Sequence, residues 1–219
     1  MTILHYAAEN GQVKIVKFLF TIHEEKHPYN DSGDTPLHFA VKRGLFEIVK
    51  FYHENSDEKN PSNNKNGTTL LHIATKKGYL GLFEYLLRQV KDKNPADYNG
   101  NTPLHLAAEM GHTDIAEIII DHVIDSNPKD NKKRTPLHYA AMNGHLDIVI
   151  LLIPVIKEMN LQDEMNNTPV HYATLHGHFE IARCISGFLE EEEEVNNTET
   201  REKESLLNTL DSLRDIFNG

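Results

Sequence analysis

Apolar residues in this chain gather in short clusters at helical spacing, divided by polar stretches rich in Asn, Asp, Gly and Pro. Ile115, Ile118, Ile119 and Val123 form one such cluster, a stripe that predicts an amphipathic helix. Equivalent clusters open at Ile15, Ile48, Leu82, Ile148 and Ile181. Each begins thirteen residues after a threonine: Thr2, Thr35, Thr69, Thr102, Thr135 and Thr168. The steps between those threonines are 33, 34, 33, 33 and 33, and nine residues after each comes a glycine: Gly11, Gly44, Gly78, Gly111, Gly144 and Gly177. Three marks held in register six times define a repeat, and a repeat predicts a stack of like units rather than one globular core.

The marks have local readings. Thr-Pro-Leu-His at 35–38, 102–105 and 135–138, with looser copies at 2–5, 69–72 and 168–171, predicts a helix start. Threonine caps a free backbone N–H, and proline takes the first helical position, where a missing N–H costs nothing. Histidine three residues after the cap stands where Glu or Gln closes a capping box, so its ring is read as reaching back to the threonine. Small pairs such as Ala107-Ala108 let another helix approach closely, and the glycine ends the first helix in the left-handed region. Each unit is thus a helical hairpin. The stretches between, such as 94–100 and 127–133, read as an extended segment with a tight turn.

The Thr-Pro-Leu-His motif, the Ala-Ala pair, Gly-His at 111–112, 144–145 and 177–178, and the 33-residue period together resemble the ankyrin-repeat family over residues 1–189. The resemblance implies an all-α solenoid of stacked helix-turn-helix units with projecting β-hairpin-like fingers, and a partner protein or peptide held on its concave side. Two departures stand out. The family ends its second helix with a Gly-Ala-Asp type turn, but His23, Ser56, Val90, Val123 and Ile156 occupy the glycine position. These second helices are therefore expected to run longer or to end without a glycine cap. Pro154 is expected to kink the fifth of them. Lys133 and Asn166 replace the finger glycine; lysine tolerates the left-handed region less well than asparagine, so the finger before Thr135 is expected to adopt a different turn.

The 22 basic and 33 acidic residues give a net charge of −11, which disfavours a nucleic-acid binder held by phosphate contacts. Much of the deficit lies in 190–219, where ten acids face three bases. Glu190–Glu194 and the polar residues up to 205 read as a solvated linker. Leu206, Leu207, Leu210, Leu213, Ile216 and Phe217 then predict an amphipathic helix over 206–219, a cap on the last repeat or a docking element, while the acidic run offers itself as an occupant of the basic rows in cis. The longest apolar stretch, 148–156, is too short to span a bilayer, where about 20 residues are needed. With a single cysteine, Cys184, and no recognisable export signal, the expected setting is intracellular, in the cytoplasm, as a monomeric array or a segment of a longer chain.

Fourteen histidines invite metal chemistry, but their spacing does not support it. Six belong to the helix-start motif (His5, His38, His72, His105, His138 and His171), and His112, His145 and His178 belong to the Gly-His turn. His176 and His178 lack a Cys or carboxylate at ligand spacing, so no metal, cofactor or catalytic set is assigned. Function is instead expected on the concave surface, at positions free to vary: Lys42, Arg43, Lys76, Lys77, Glu109, Met110, Met142, Asn143, Leu175 and His176 on the first helices, and Tyr98, Asn101, Arg134 and Met165 on the fingers. Four cations in repeats two and three and an apolar end at Met142, Met165 and Leu175 suggest a peptide that is acidic at one end and apolar at the other. Alternatives are an ankyrin portion of a larger enzyme or channel, and an anionic small ligand at the basic rows. Asn94, Asn127 and Asn160 match the finger asparagine that protein hydroxylases modify in some ankyrin proteins.

Overall fold

In the computed structural model, residues 1–190 are described; the linker beyond 190 and the helix expected over 206–219 lie outside the described residues. Six helical hairpins follow one another. Their first helices are α1 (Ile3–Glu9), α3 (Pro36–Lys42), α5 (Leu70–Lys77), α7 (Pro103–Met110), α9 (Pro136–Asn143) and α11 (Pro169–Leu175). Their second helices are α2 (Val13–Ile22), α4 (Phe46–Asn55), α6 (Leu80–Gln89), α8 (Thr113–Ile120), α10 (Leu146–Leu152) and α12, described over 179–190. From α1 to α9, each first helix packs on the next first helix and on its own second helix. Among the described residues there is no strand, only one isolated bridge between Ser62 and Thr69, so the architecture is the all-α repeat solenoid.

The small pairs make this stack possible. Ala7, Ala8, Ala40, Val41, Ala107, Ala108, Ala140 and Ala141 are buried between neighbouring first helices, where a longer side chain would hold the backbones apart. The six glycines that follow have φ between 67° and 80°. At Gly111 a second constraint operates: a Cβ there would lie 2.6 Å from Nδ1 of His145, the histidine of the next repeat's Gly-His pair. The imidazole of the Gly-His pair therefore packs over the preceding repeat's glycine, and His112 and His178 do the same over Gly78 and Gly144.

The second helices end without glycine, as expected, and their carbonyls are capped in a different way. Lys26, Lys59 and Lys93 curl back so that Nζ donates to Phe20 O and His23 O, His53 O and Ser56 O, and Leu87 O and Val90 O, respectively. An ammonium placed here satisfies free carbonyls and meets the negative end of the helix dipole. The three helices so capped run 10 residues. Repeats four and five carry Ser126 and Met159 at that position, and α8 and α10 run only 8 and 7. Pro154 does not kink α10 as expected: the helix has stopped at Leu152, and proline sits inside a short 3₁₀ turn, Ile153–Val155, where its missing N–H breaks no α-helical bond.

Outside the finger at 63–68, the fingers share one turn. A side-chain carbonyl or carboxylate accepts from the backbone N–H two and four residues on: Asp97 from Asn99 and Asn101, Asp130 from Lys132 and Arg134, Asp163 from Met165 and Asn167. The finger before Thr135 keeps that turn, against expectation. Lys133 enters the left-handed region at φ 60° and Asn166 at φ 62°, because the bonds to Asp130 and Asp163 fix the backbone whatever residue stands there. The single 34-residue step is absorbed in the second finger, where Asn63 and Gly67 are four apart instead of three.

Candidate functional site

The six motif histidines close their capping boxes. Each threonine N–H lies 3.0–3.1 Å from its histidine Nδ1. Since Nδ1 accepts, the ring proton resides on Nε2. In five of the six it donates onward, to a carbonyl of the next finger: His5 to Asp34, His38 to Thr68, His72 to Asn101, His105 to Arg134 and His138 to Asn167, at 2.9–3.2 Å. One ring thus caps its own helix and ties its repeat to the next. Burial lowers the pKa of His5, His72 and His138 and takes His38 and His105 down to about 4, so these rings are neutral at pH 7. His171 is exposed, and His176 and His178 stack at 6.4 Å with no third ligand; among the described residues no group of three potential metal ligands exists.

With the motif committed to the stack, the variable side chains remain. The concave side opens into a cleft of ≈ 620 Å³ across repeats two to four. Phe39, Ile73 and Leu106, the residue after each motif histidine, form its apolar floor. Lys42, Arg43, Lys76 and Lys77 line it, as do Glu9, Asp34, Asp97 and Glu109, which balances the formal charge.

The four cations are not equivalent. Lys42 Nζ lies 2.5 Å from Asp34 Oδ2, and Arg43 Nη2 lies 3.0 Å from Glu9 Oε1. Burial alone would raise the pKa of Asp34, but hydrogen bonds from Lys42 and Asn63 outweigh it and hold the carboxyl below its ordinary value. Lys76 and Lys77 are exposed and have no acidic group within 4.0 Å among the described residues.

Arg134 also has internal work. Its guanidinium donates to Asp130 Oδ2 at 2.7 and 2.9 Å and lies 4.6 Å from the Tyr139 ring centroid, and the single proton of the Tyr139 hydroxyl has two acceptors in reach, Asp130 Oδ2 at 2.9 Å and Asn101 Oδ1 at 3.0 Å. Arg134 and Asn101 therefore present a fixed polar wall. Glu109 is half-buried and lines the cleft, Met110 is half-buried and is not part of its lining, and Asn143 donates to Tyr139 O. Further along, Met142 is half-buried, whereas Met165, Leu175 and His176 are exposed, Met165 at 75% and Leu175 at 78%. Tyr98 lies at the finger edge, exposed, its ring over Gly67.

The finger asparagines differ from one another. Asn94 Oδ1 accepts from Leu104 N–H at 3.0 Å, Asn127 donates to Glu158 O, and Asn160 is exposed. The lysine caps and the pairing of Lys42 and Arg43 escaped sequence reasoning. The lysines did leave a signal, each lying twenty-four residues after its cap threonine.

A family model described as ankyrin repeats matches residues 1–60, 40–130 and 124–198. No curated protein matches the chain closely enough to count as a relative. Among the described residues no helix is long and apolar enough to cross a membrane. Ankyrin repeats are in general protein-interaction modules, and the family match spans nearly all of this array of capped, histidine-linked hairpins: the chain belongs to the ankyrin-repeat family.

Proposed function

We propose that this chain is a non-catalytic recognition module, residues 1–189 acting as one unit that grips a segment of a partner protein along its concave side. The observation that carries the reading is the cleft over repeats two to four. There the stack's shared residues are spent on helix caps and packing, while the lining side chains differ from repeat to repeat. The groove continues past Met142 to the exposed Met165 and Leu175, apolar surface suited to the far end of a bound segment.

A small polyanion is the weaker reading. Four acids accompany the four cations around the cleft, and two of those cations are already paired, so a phosphate-rich ligand would meet little net positive field.

The test is to select 12-residue peptides from a displayed random library against the chain, synthesise the winners, and map them by amide chemical-shift perturbation. Shifts concentrated on α3, α5, α7 and the fingers would support the reading. Shifts confined to the second helices would end it.

A further inference from the structure

We infer that repeat three sets the specificity of this groove: Lys76 and Lys77 receive an acidic side chain of the partner, while its bulky apolar neighbour lies on Phe39, Ile73 and Leu106. The inference rests on the groove reading and names the partner chemistry that the groove selects.

The argument starts on one helix. Ile73, Lys76 and Lys77 stand at i, i+3 and i+4 of α5, so the two ammonium groups rise from the same face as the floor residue, one turn further along. Phe39 and Leu106 occupy the equivalent position of Ile73 on α3 and α7, extending the floor to either side. Charge then separates the rows. In repeat two the cations are quenched by Asp34 and Glu9, and a partner carboxylate there would have to displace a bond already made. In repeat three nothing within 4.0 Å among the described residues neutralises Lys76 or Lys77. Two like charges on adjacent residues repel, and a carboxylate between them relieves that repulsion as well as adding attraction of its own.

Repeat four supplies the opposite sign. Glu109 holds the position in α7 that Lys76 holds in α5, and it also lines the cleft. A second acidic residue on the partner would be repelled there, and a basic one attracted. Neighbouring first helices lie about 10 Å apart, which is roughly three residues of extended chain. The favoured segment is therefore extended, with a large apolar residue beside an Asp or Glu, and with a Lys or Arg three residues from that acid on the repeat-four side.

A positional-scanning library of 12-residue peptides, read by fluorescence anisotropy, tests this. Wild-type chain is expected to prefer Asp or Glu with Lys or Arg three positions away. Lys76→Glu with Lys77→Glu should weaken the preferred peptides about tenfold or more and shift the preference to basic residues. Lys42→Gln with Arg43→Gln, which unpairs Asp34 and Glu9 in the same cleft, should weaken the preferred peptides severalfold less and keep their order of preference, and circular dichroism checks that both double variants are folded. An unchanged preference in the Lys76/Lys77 variant, or equal loss in the Lys42/Arg43 variant, overturns the inference. A peptide that maps to the cleft without any charge preference overturns it as well while leaving the groove reading intact; peptides that map to the second helices overturn both.

Discussion

Nε2 of His105 lies 3.1 Å from the carbonyl oxygen of Arg134, 29 residues further along the chain, while Nδ1 of the same ring accepts the Thr102 N–H. Two bonds of different range thus hang on one neutral imidazole. Replacing His105 by Gln preserves a side chain able to close a capping box, but shortens the reach to the next finger. His105→Gln is expected to lose about 1–2 kcal/mol and His105→Leu about 2–4 kcal/mol, the latter leaving a buried carbonyl and a cap N–H unmatched. Urea unfolding measures both; equal losses would refute the division of roles.

Neutral buried rings make the array acid-sensitive. Burial lowers the folded-state pKa of His5, His72 and His138, and takes His38, His53 and His105 to about 4, from an ordinary 6.5. Below 6.5 the unfolded chain therefore binds more protons than the folded one. Stability is complete above pH 6.5 and falls progressively toward pH 4. The melting temperature at pH 4.5 is expected to lie on the order of 10 °C or more below that at pH 7.5. A flat profile over that window would contradict neutral, buried histidines.

Gly111 and Gly177 share a left-handed backbone, at φ 76° and 79°, but His145 presses on the first and nothing lies within 4 Å of a Cβ on the second. Gly177→Ala should cost about 1 kcal/mol, the backbone penalty alone. Gly111→Ala should cost about 2–4 kcal/mol, with overpacking added. Thermal unfolding of Gly111→Ala combined with His145→Ala, against each single variant, would expose the coupling; strict additivity would deny it.

Lys133 occupies a conformation that glycine adopts more readily. Lys133→Gly is expected to stabilise the array by about 0.5–1 kcal/mol, since relief of left-handed strain exceeds the extra freedom gained by the unfolded chain. A destabilised variant, by urea midpoint, would mean that the lysine stem contributes packing that outweighs the strain.

Lys93 caps the carbonyls at the end of α6. Lys93→Met copies the residue that repeat five carries at the equivalent position, Met159, and should shorten the helix and lose about 1 kcal/mol. Amide exchange in the last turn of α6 would quicken while α7 stays protected. Unchanged exchange there would show that the cap is dispensable.

The sequence by itself determined the hairpins. Threonine caps, proline at the first helical position, reciprocal histidines and left-handed glycines act over four residues or fewer, so their spacing carries their meaning. The six-fold register then made the stack legible, and the concave positions with it, because whatever did not repeat was left for recognition. Only the tertiary structure decided which of those positions are free. Lys42 meets Asp34 and Arg43 meets Glu9 across neighbouring elements, Arg134 is locked onto Asp130 and Tyr139, and Lys76 and Lys77 have no acidic partner among the described residues. The same holds for His105 reaching Arg134 and for His145 pressing on Gly111. The pairs that join neighbouring repeats lie 29 to 34 residues apart and depend on the offset with which one hairpin settles on the next, a distance that no local pattern of residues encodes.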